Sequence, residues 1–122
     1  MRVYLDDLRR PPVGWHLVKT ADECGDALVR GRVDELSLDH DLAEEHYPGA
    51  RAADGTSNVE PRYREKTGLA VVEWMVAQGP GFSWPKLVIV HTMNPVGRAN
   101  MLALLRRAPP EVRVEVRIGF RG

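Results

Sequence analysis

The chain of 122 residues is long enough for one folded domain, 1–122, and too short for two. Its 17 basic and 17 acidic side chains give a net charge of zero. This balance argues against a nucleic-acid coat protein or a membrane-surface binder, because both classes need a large positive excess. Cys24 is the only cysteine, so no internal disulfide can form, and we expect a cytoplasmic protein without a signal peptide or a membrane-spanning helix.

The first forty residues predict two strands, a helix and a third strand. Proline at positions 11 and 12 excludes a regular helix directly after the first strand. Thr20 is a suitable N-cap, and Glu23, three residues later, completes a capping box. The predicted elements are strands at 2–5, 15–18 and 35–38, and a helix at 20–30.

The rest of the chain alternates helix and strand after a long polar segment. Residues 42–66 contain proline and glycine without clear periodicity, and they are predicted to form a lid or binding loop, with disorder as the alternative. Residues 86–90 are apolar on both faces, which is typical of a buried parallel strand. The predicted elements here are helices at 67–78 and from Asn94 onwards, with strands at 86–90 and 112–116.

This order of elements predicts an α/β fold of the flavodoxin type. Right-handed crossovers give a five-stranded parallel sheet of order 2-1-3-4-5, with helices on both faces. Polar residues follow three of the strands, and in a parallel sheet those positions lie at one edge. They are Asp6 and Asp7 after the first strand, Asp39, His40 and Asp41 after the third, and His91, Thr92 and Asn94 after the fourth.

Four carboxylates at one edge repel one another unless a cation lies between them. We expect a hard divalent ion such as Mg²⁺, held by two or three of them, with water and phosphate oxygens completing its shell. The alternative is that Asp6 and Asp7 only cap a turn, while Asp39 and Asp41 are solvated loop acids.

His40 and His91 follow adjacent central strands and could face one another across a bound phosphate. One would activate water and the other would protonate the leaving oxygen, and the alternative is that each histidine is structural. The helix start at Asn94 offers backbone N–H groups to an anion. Arg98, and Arg9 beyond the first acidic pair, are placed to reach the same phosphate.

Three motifs occur together, LDDLRRPP at 5–12, SLDHDL at 37–42 and HTMNPVGRANM at 91–101. They resemble response-regulator receiver domains, and more closely their divergent branch, the cyclic-phosphate processing receiver domains. The resemblance implies that Asp6, Asp7 and Asp39 hold Mg²⁺ or Mn²⁺, and in ordinary receivers the third-strand aspartate also accepts phosphate from a histidine kinase. The chain departs from ordinary receivers in two places, because Arg117 follows the fifth strand instead of a lysine and a proline-containing segment replaces the first helix.

The predicted function is a metal-assisted phosphoesterase acting on cyclic phosphates, such as 2′,3′-cyclic RNA ends or small cyclic nucleotides. The alternatives are a receiver signalling module phosphorylated on Asp39 and a non-catalytic nucleotide or nucleic-acid binder. The expected partner is a phosphate-containing small molecule or an RNA end, with no membrane and no obligate protein partner. The predicted catalytic residues are His40, His91, Asp39 and Asp41, of which Asp41 would orient His40, and the predicted phosphate-binding residues are Arg9, Thr92, Asn94 and Arg98.

Overall fold

Five short strands form one parallel sheet in the computed structural model, which describes residues 1–40 and 67–118. The sheet order is β2-β1-β3-β4-β5, which confirms the predicted order and the α/β fold. In the register of the sheet, Leu5 pairs with Leu38, and Leu38 pairs with Val90. The strands are Arg2–Leu5 (β1), His16–Val18 (β2), Glu35–Leu38 (β3), Leu87–Val90 (β4) and Arg113–Val116 (β5).

The described part of the chain contains three helices, and a side-chain oxygen caps the start of each. They are Ala21–Arg30 (α1), Gly68–Ala77 (α2) and Pro95–Leu105 (α3). Thr20 Oγ1 accepts from the backbone N–H of Glu23 at 3.0 Å, and Thr67 caps α2 in the same way. These hydroxyls satisfy backbone donors that have no partner within the helix, so the helices begin where the sequence predicts.

All three of these helices pack side by side on one face of the sheet. Each right-handed crossover, from β2 to β3, from β3 to β4 and from β4 to β5, moves in the same direction across the sheet, and it therefore places its helix on the same side. Their apolar faces cover the fully buried side chains of Val3, Leu5, Leu36, Leu38 and Val90.

The predicted architecture has helices on both faces. A helix for the second face would follow β1, because only that connection runs in the opposite direction. The chain between β1 and β2 instead contains Pro11 and Pro12 and forms no helix. Within residues 1–40 and 67–118, the second face of the sheet is therefore without a helical cover.

The observed boundaries differ from the predicted ones by one residue in β2, β4 and β5. The predicted lid at 42–66 lies outside the described residues, as does Asp41. None of the helices in the described ranges has the length and apolar character that crossing a membrane requires.

Candidate functional site

Asp6, Asp39 and His91 lie side by side at the carboxyl edge of the sheet. Each follows a fully buried residue that faces the helices, Leu5, Leu38 or Val90. The sheet ladder continues through them, because Asp39 N–H donates to Leu5 O at 3.0 Å and His91 N–H donates to Leu38 O at 2.9 Å. Successive residues of a strand point to opposite faces, so these three side chains point to the helix-free face. One ligand atom from each lies within 4.8 Å of the others.

Both ring nitrogens of His91 form hydrogen bonds. Nε2 lies 3.0 Å from Asp6 Oδ2, and Nδ1 lies 2.6 Å from Ser37 Oγ. A carboxylate only accepts hydrogen bonds, so Nε2–H donates to Asp6, and in the neutral ring Nδ1 accepts from the Ser37 hydroxyl. In the protonated ring Nδ1–H donates to Ser37 Oγ instead. The chain of bonds from Ser37 through His91 to Asp6 therefore accommodates either charge state without losing a contact.

The ring of Tyr4 fixes the plane of the His91 imidazole. The two rings are stacked with centroids 4.5 Å apart and an interplanar angle of 4°. His91 is only 8% exposed, and Ser37 is 3% exposed. With both nitrogens and one ring face in contact, the imidazole is held in a single orientation.

Asp6 is a buried carboxylate that remains ionised. Its Oδ1 accepts from the backbone N–H groups of Leu8 and Arg9, at 2.9 and 3.0 Å. Burial raises the pKa of Asp6, but the bonds from His91 and from Arg9 and Leu8 outweigh burial and lower that pKa to about 2. Asp6 therefore carries a full negative charge next to His91 at neutral pH.

The pKa of Asp39 is shifted in the opposite direction from that of Asp6. Burial and the negative charge of Asp6 raise the pKa of Asp39, although hydrogen bonds and His91 oppose that shift. Its Oδ1 accepts from the backbone N–H of His40 at 2.8 Å, and the Thr92 side chain also bonds to it. Positive charge near Asp39 would thus stabilise its ionised form.

The guanidinium of Arg9 lies between these two acids. Its Nη1 is 3.0 Å from Asp6 Oδ2 and 3.7 Å from Asp39 Oδ2. Arg9, which was predicted to bind phosphate, therefore forms an ion pair with the carboxylate of Asp6 and lies near that of Asp39. The negative charge of the two acids favours a cation at this position.

The donor set of this cluster fits a divalent cation. Two carboxylates suit Mg²⁺ or Mn²⁺, and the imidazole of His91 adds a nitrogen that Mn²⁺ accepts more readily than Mg²⁺. Asp7 was predicted as a third acidic ligand. The close group of ligand atoms among the described residues contains Asp6, Asp39 and His91, and Asp7 stays a predicted ligand.

His40 packs against the first turn of α3. A Cβ atom at Gly97 would lie 2.5 Å from Cγ of the His40 ring, so only glycine leaves room for the ring there. The backbone also closes over this corner, because Gly68 N–H donates to His40 O at 3.0 Å. His40 is thus placed next to Asp39 in sequence and against α3 in space.

The remaining predicted phosphate ligands surround the start of α3. Asn94 Oδ1 accepts from the N–H groups of Val96 and Gly97, both at 3.0 Å, and so caps the helix. Arg98 Nη1 donates to the carbonyl of Thr92 at 3.1 Å. Asn94, Arg98 and Thr92 thus build one connected corner beside Asp39.

Ser37 and Tyr4 belong to this site but were not predicted. Both lie within strands, at positions that pair directly across the sheet. The available signal was a serine in the otherwise apolar end of β3, at the position that alternates with Leu36 and Leu38. Together with His91 they line an open cleft of about 1230 Å³ on the helix-free face.

Comparison with known families gives one match. Residues 1–107 match a family model described as the cyclic-phosphate processing receiver domain. Neither a curated protein nor a solved structure gives a significant match to the chain. The matched range contains every site residue described above.

Proposed function

Because this chain belongs to the family of cyclic-phosphate processing receiver domains, we propose that it is a phosphoesterase that opens cyclic phosphates. The observation that carries the proposal is the hydrogen-bonded chain from Ser37 through His91 to Asp6, beside the second carboxylate of Asp39. Such a chain holds one imidazole in a fixed orientation, with an anion behind it, as general acid–base catalysis requires.

The reaction adds one water molecule to a cyclic phosphodiester. A base removes a proton from the water, the water oxygen forms a bond to phosphorus, and one of the two ring P–O bonds breaks. The released alkoxide takes a proton from an acid, and the product is a phosphomonoester with a free hydroxyl group. The attacking and leaving oxygens lie on opposite sides of phosphorus, so two proton-transfer groups are needed.

His91 is well suited to the role of base. Its Nδ1 is the atom that takes up the proton, because Nε2–H is already bonded to Asp6. The Ser37 hydroxyl on Nδ1 both donates and accepts, so it can pass a proton from an oxygen in the cleft to the ring. The ionised carboxylate of Asp6 then stabilises the imidazolium ion.

The proposal gives His40 the role of acid. It follows Asp39 directly and lies at the start of α3, where the positive end of the helix favours an anionic substrate. Arg9, Thr92, Asn94 and Arg98 border the same corner and would contact the phosphate. Asp41, which was predicted to orient His40, lies outside the described residues.

A divalent ion would be held by Asp6 and Asp39, and it would polarise the phosphoryl oxygen and compensate the charge of the transition state. Arg9 now neutralises this pair of acids. Its guanidinium lies beside the position that such an ion would take, and it would contact the substrate phosphate there.

The test is a screen of nucleoside 2′,3′-cyclic phosphates, 3′,5′-cyclic nucleotides and RNA with a 2′,3′-cyclic end, with Mg²⁺, Mn²⁺ or EDTA. Ring opening is followed by ³¹P NMR. We expect His91→Ala to lower kcat by roughly 10²- to 10⁴-fold, while the control His16→Ala, an exposed histidine, leaves kcat unchanged. No turnover of any cyclic phosphate by the wild-type protein would contradict the proposal.

Two other functions are tested with the variants Asp39→Ala and His91→Ala. If Asp39 is a phosphoacceptor, acetyl phosphate and Mg²⁺ will give a stable single adduct in the intact mass, and Asp39→Ala will remove it. If the protein only binds nucleotides, His91→Ala will leave ligand affinity unchanged and the wild-type protein will show no turnover.

A further inference from the structure

The helix-free face of the sheet forms the floor of the cleft. Three side chains in one row across the central strands provide this floor, because Tyr4 pairs with Ser37 and Ser37 pairs with Ile89 in the register. His91 lies one step further along β4 and closes one end. The cleft therefore leads from an apolar and aromatic floor to His91.

The walls of the cleft are mostly apolar. The connection between β1 and β2 supplies one wall through Pro11, Pro12 and Trp15, and Ile118 after β5 lies on another side. The Trp15 ring stands nearly perpendicular to Tyr4, at 6.2 Å between centroids and an angle of 76°. Both rings are only partly buried and both line the cleft, and the Arg2 guanidinium lies 6.0 Å from the centroid of the Trp15 ring.

The charge of the lining is one-sided. Arg9, Arg10 and Arg117 line the cleft, and within residues 1–40 and 67–118 no aspartate or glutamate does, although the whole chain has 17 residues of each sign. Two of these charges are partly compensated, because Arg9 Nη1 lies 3.0 Å from Asp6 Oδ2 and 3.7 Å from Asp39 Oδ2, and Arg117 Nη2 lies 3.2 Å from Glu115 Oε1. The complementary ligand is an anion that also has a flat, apolar part.

We propose that this cleft binds the nucleoside part of the substrate, with the base against Trp15 and the phosphate at the His91 and Arg9 end. This proposal specifies the substrate of the proposed function, and it rests on that function for the position of the phosphate. Aromatic side chains stack on any base, and arginines in a groove track the phosphate backbone. A base on a sheet surface beside a basic wall satisfies both contacts at once.

The volume of the cleft helps to distinguish a free cyclic nucleotide from the end of an RNA chain as the ligand. Pockets of roughly 300–1,000 Å³ enclose a molecule the size of a drug or nucleotide, and the volume of about 1230 Å³ exceeds that range. A second nucleotide therefore has room, and an RNA end fills the cleft better than a free cyclic mononucleotide does.

The experiment measures binding without turnover, using isothermal titration calorimetry in EDTA. The probes are adenosine 3′-monophosphate, ribose 3-phosphate as the base-free analogue, and the dinucleotide ApAp with a 3′-terminal phosphate. We expect adenosine 3′-monophosphate to bind about tenfold more tightly than ribose 3-phosphate because of base stacking. A further gain with ApAp identifies an RNA end as the ligand, and equal affinity identifies the mononucleotide.

Trp15→Ala is expected to remove the advantage of the base and to leave the affinity for ribose 3-phosphate unchanged, while Trp15→Phe retains most of it. Arg10→Glu, which leaves the aromatic surface intact, is expected to weaken all three probes. The control Arg107→Glu, after the end of α3 and outside the cleft lining, is expected to weaken none.

Equal affinity for adenosine 3′-monophosphate and ribose 3-phosphate, or a base preference that survives Trp15→Ala, would overturn the proposal. These results do not depend on catalysis. Base-selective binding without hydrolysis of any cyclic phosphate would remove the proposed function and leave the nucleoside cleft standing.

Discussion

The carboxyl groups of Asp6 and Asp39 follow neighbouring strands, yet their surroundings shift their pKa values in opposite directions. Asp6 accepts bonds from two backbone N–H groups, from His91 and from the guanidinium of Arg9. Asp39 is buried beside this charge and has weaker compensation, because Arg9 is 3.7 Å from its Oδ2. Asp6 is thus ionised at neutral pH, whereas Asp39 is stabilised by binding a proton or a metal ion.

The two acids should therefore affect stability with opposite signs at pH 7 in EDTA. The pKa of Asp6 is lowered from 3.8 to about 2, so its contribution is fully present above the unfolded pKa and is lost as the pH falls toward 2. We expect Asp6→Asn to reduce the free energy of unfolding by about 1–2 kcal/mol in urea denaturation. Asp26→Asn, an exposed control on α1, should change it by less than about 0.5 kcal/mol.

The pKa of Asp39 is raised, so the folded protein binds more protons than the unfolded chain between the unfolded and folded pKa values. Stability then falls as the pH rises through this window. We expect Asp39→Asn to raise the free energy of unfolding at pH 7 without metal and to flatten its pH dependence below neutrality. A loss of stability similar to that of Asp6→Asn would contradict the assignment of the two roles.

Ser37 is expected to act as the proton relay to His91, through its hydrogen bond to Nδ1. Ser37→Ala removes the partner of Nδ1 but keeps the Asp6 contact, so proton uptake loses its relay. We expect kcat to fall at least about tenfold with little change in KM, and the pH–rate profile to shift, while Ser37→Thr restores most of the rate. An unchanged profile with a raised KM would show that Ser37 only shapes the cleft.

Gly97 is expected to control the position of His40. In Gly97→Ala the new methyl group would meet the imidazole at 2.5 Å, so the ring must move or the helix must shift. We expect a loss of about 1–3 kcal/mol in stability and a displaced His40 resonance in NMR spectra.

Gly25→Ala provides the matched control for this glycine. The position lies in α1, where an added Cβ meets no atom within 4 Å, and alanine should stabilise the helix by about 0.5–1 kcal/mol. The same sign for both substitutions would show that His40 is not held by close packing.

Metal binding should depend on Asp39 more than on any exposed acid. We expect Mn²⁺, followed by EPR, to bind the wild-type protein and to bind Asp39→Asn at least about tenfold more weakly, because the cluster loses one of two carboxylates. Asp26→Asn should have no effect, and equal binding by the Asp39 and Asp26 variants would exclude this cluster as the metal site.

The positions of the acids and of His91 could be predicted because each directly follows an apolar strand. Strands of a parallel sheet share one carboxyl edge, so the order 2-1-3-4-5 already places Asp6 and Asp39 on adjacent strands, with His91 beyond Asp39. The family resemblance, confirmed over residues 1–107, added the class of substrate. Neither argument requires knowledge of side-chain rotamers.

The roles of Ser37 and Tyr4 could not be predicted in the same way. A short strand does not show which of its two faces is covered by helices. The proline-containing segment after β1 indicated a missing helix, but only the register shows that Tyr4, Ser37 and Ile89 form one row on the helix-free face.

At the ends of β1, β3 and β4, the alternation of side chains determines both the packing of the apolar interior and the position of the site residues. Inserting one residue into β1 would turn Leu5 outward and send the charge of Asp6 in among the apolar side chains beneath the helices. The variant would lose its interior and its reactive edge in the same event. Evolution can therefore lengthen such a strand only in steps of two, and each such step would carry Asp6 about 6.6 Å past its neighbours.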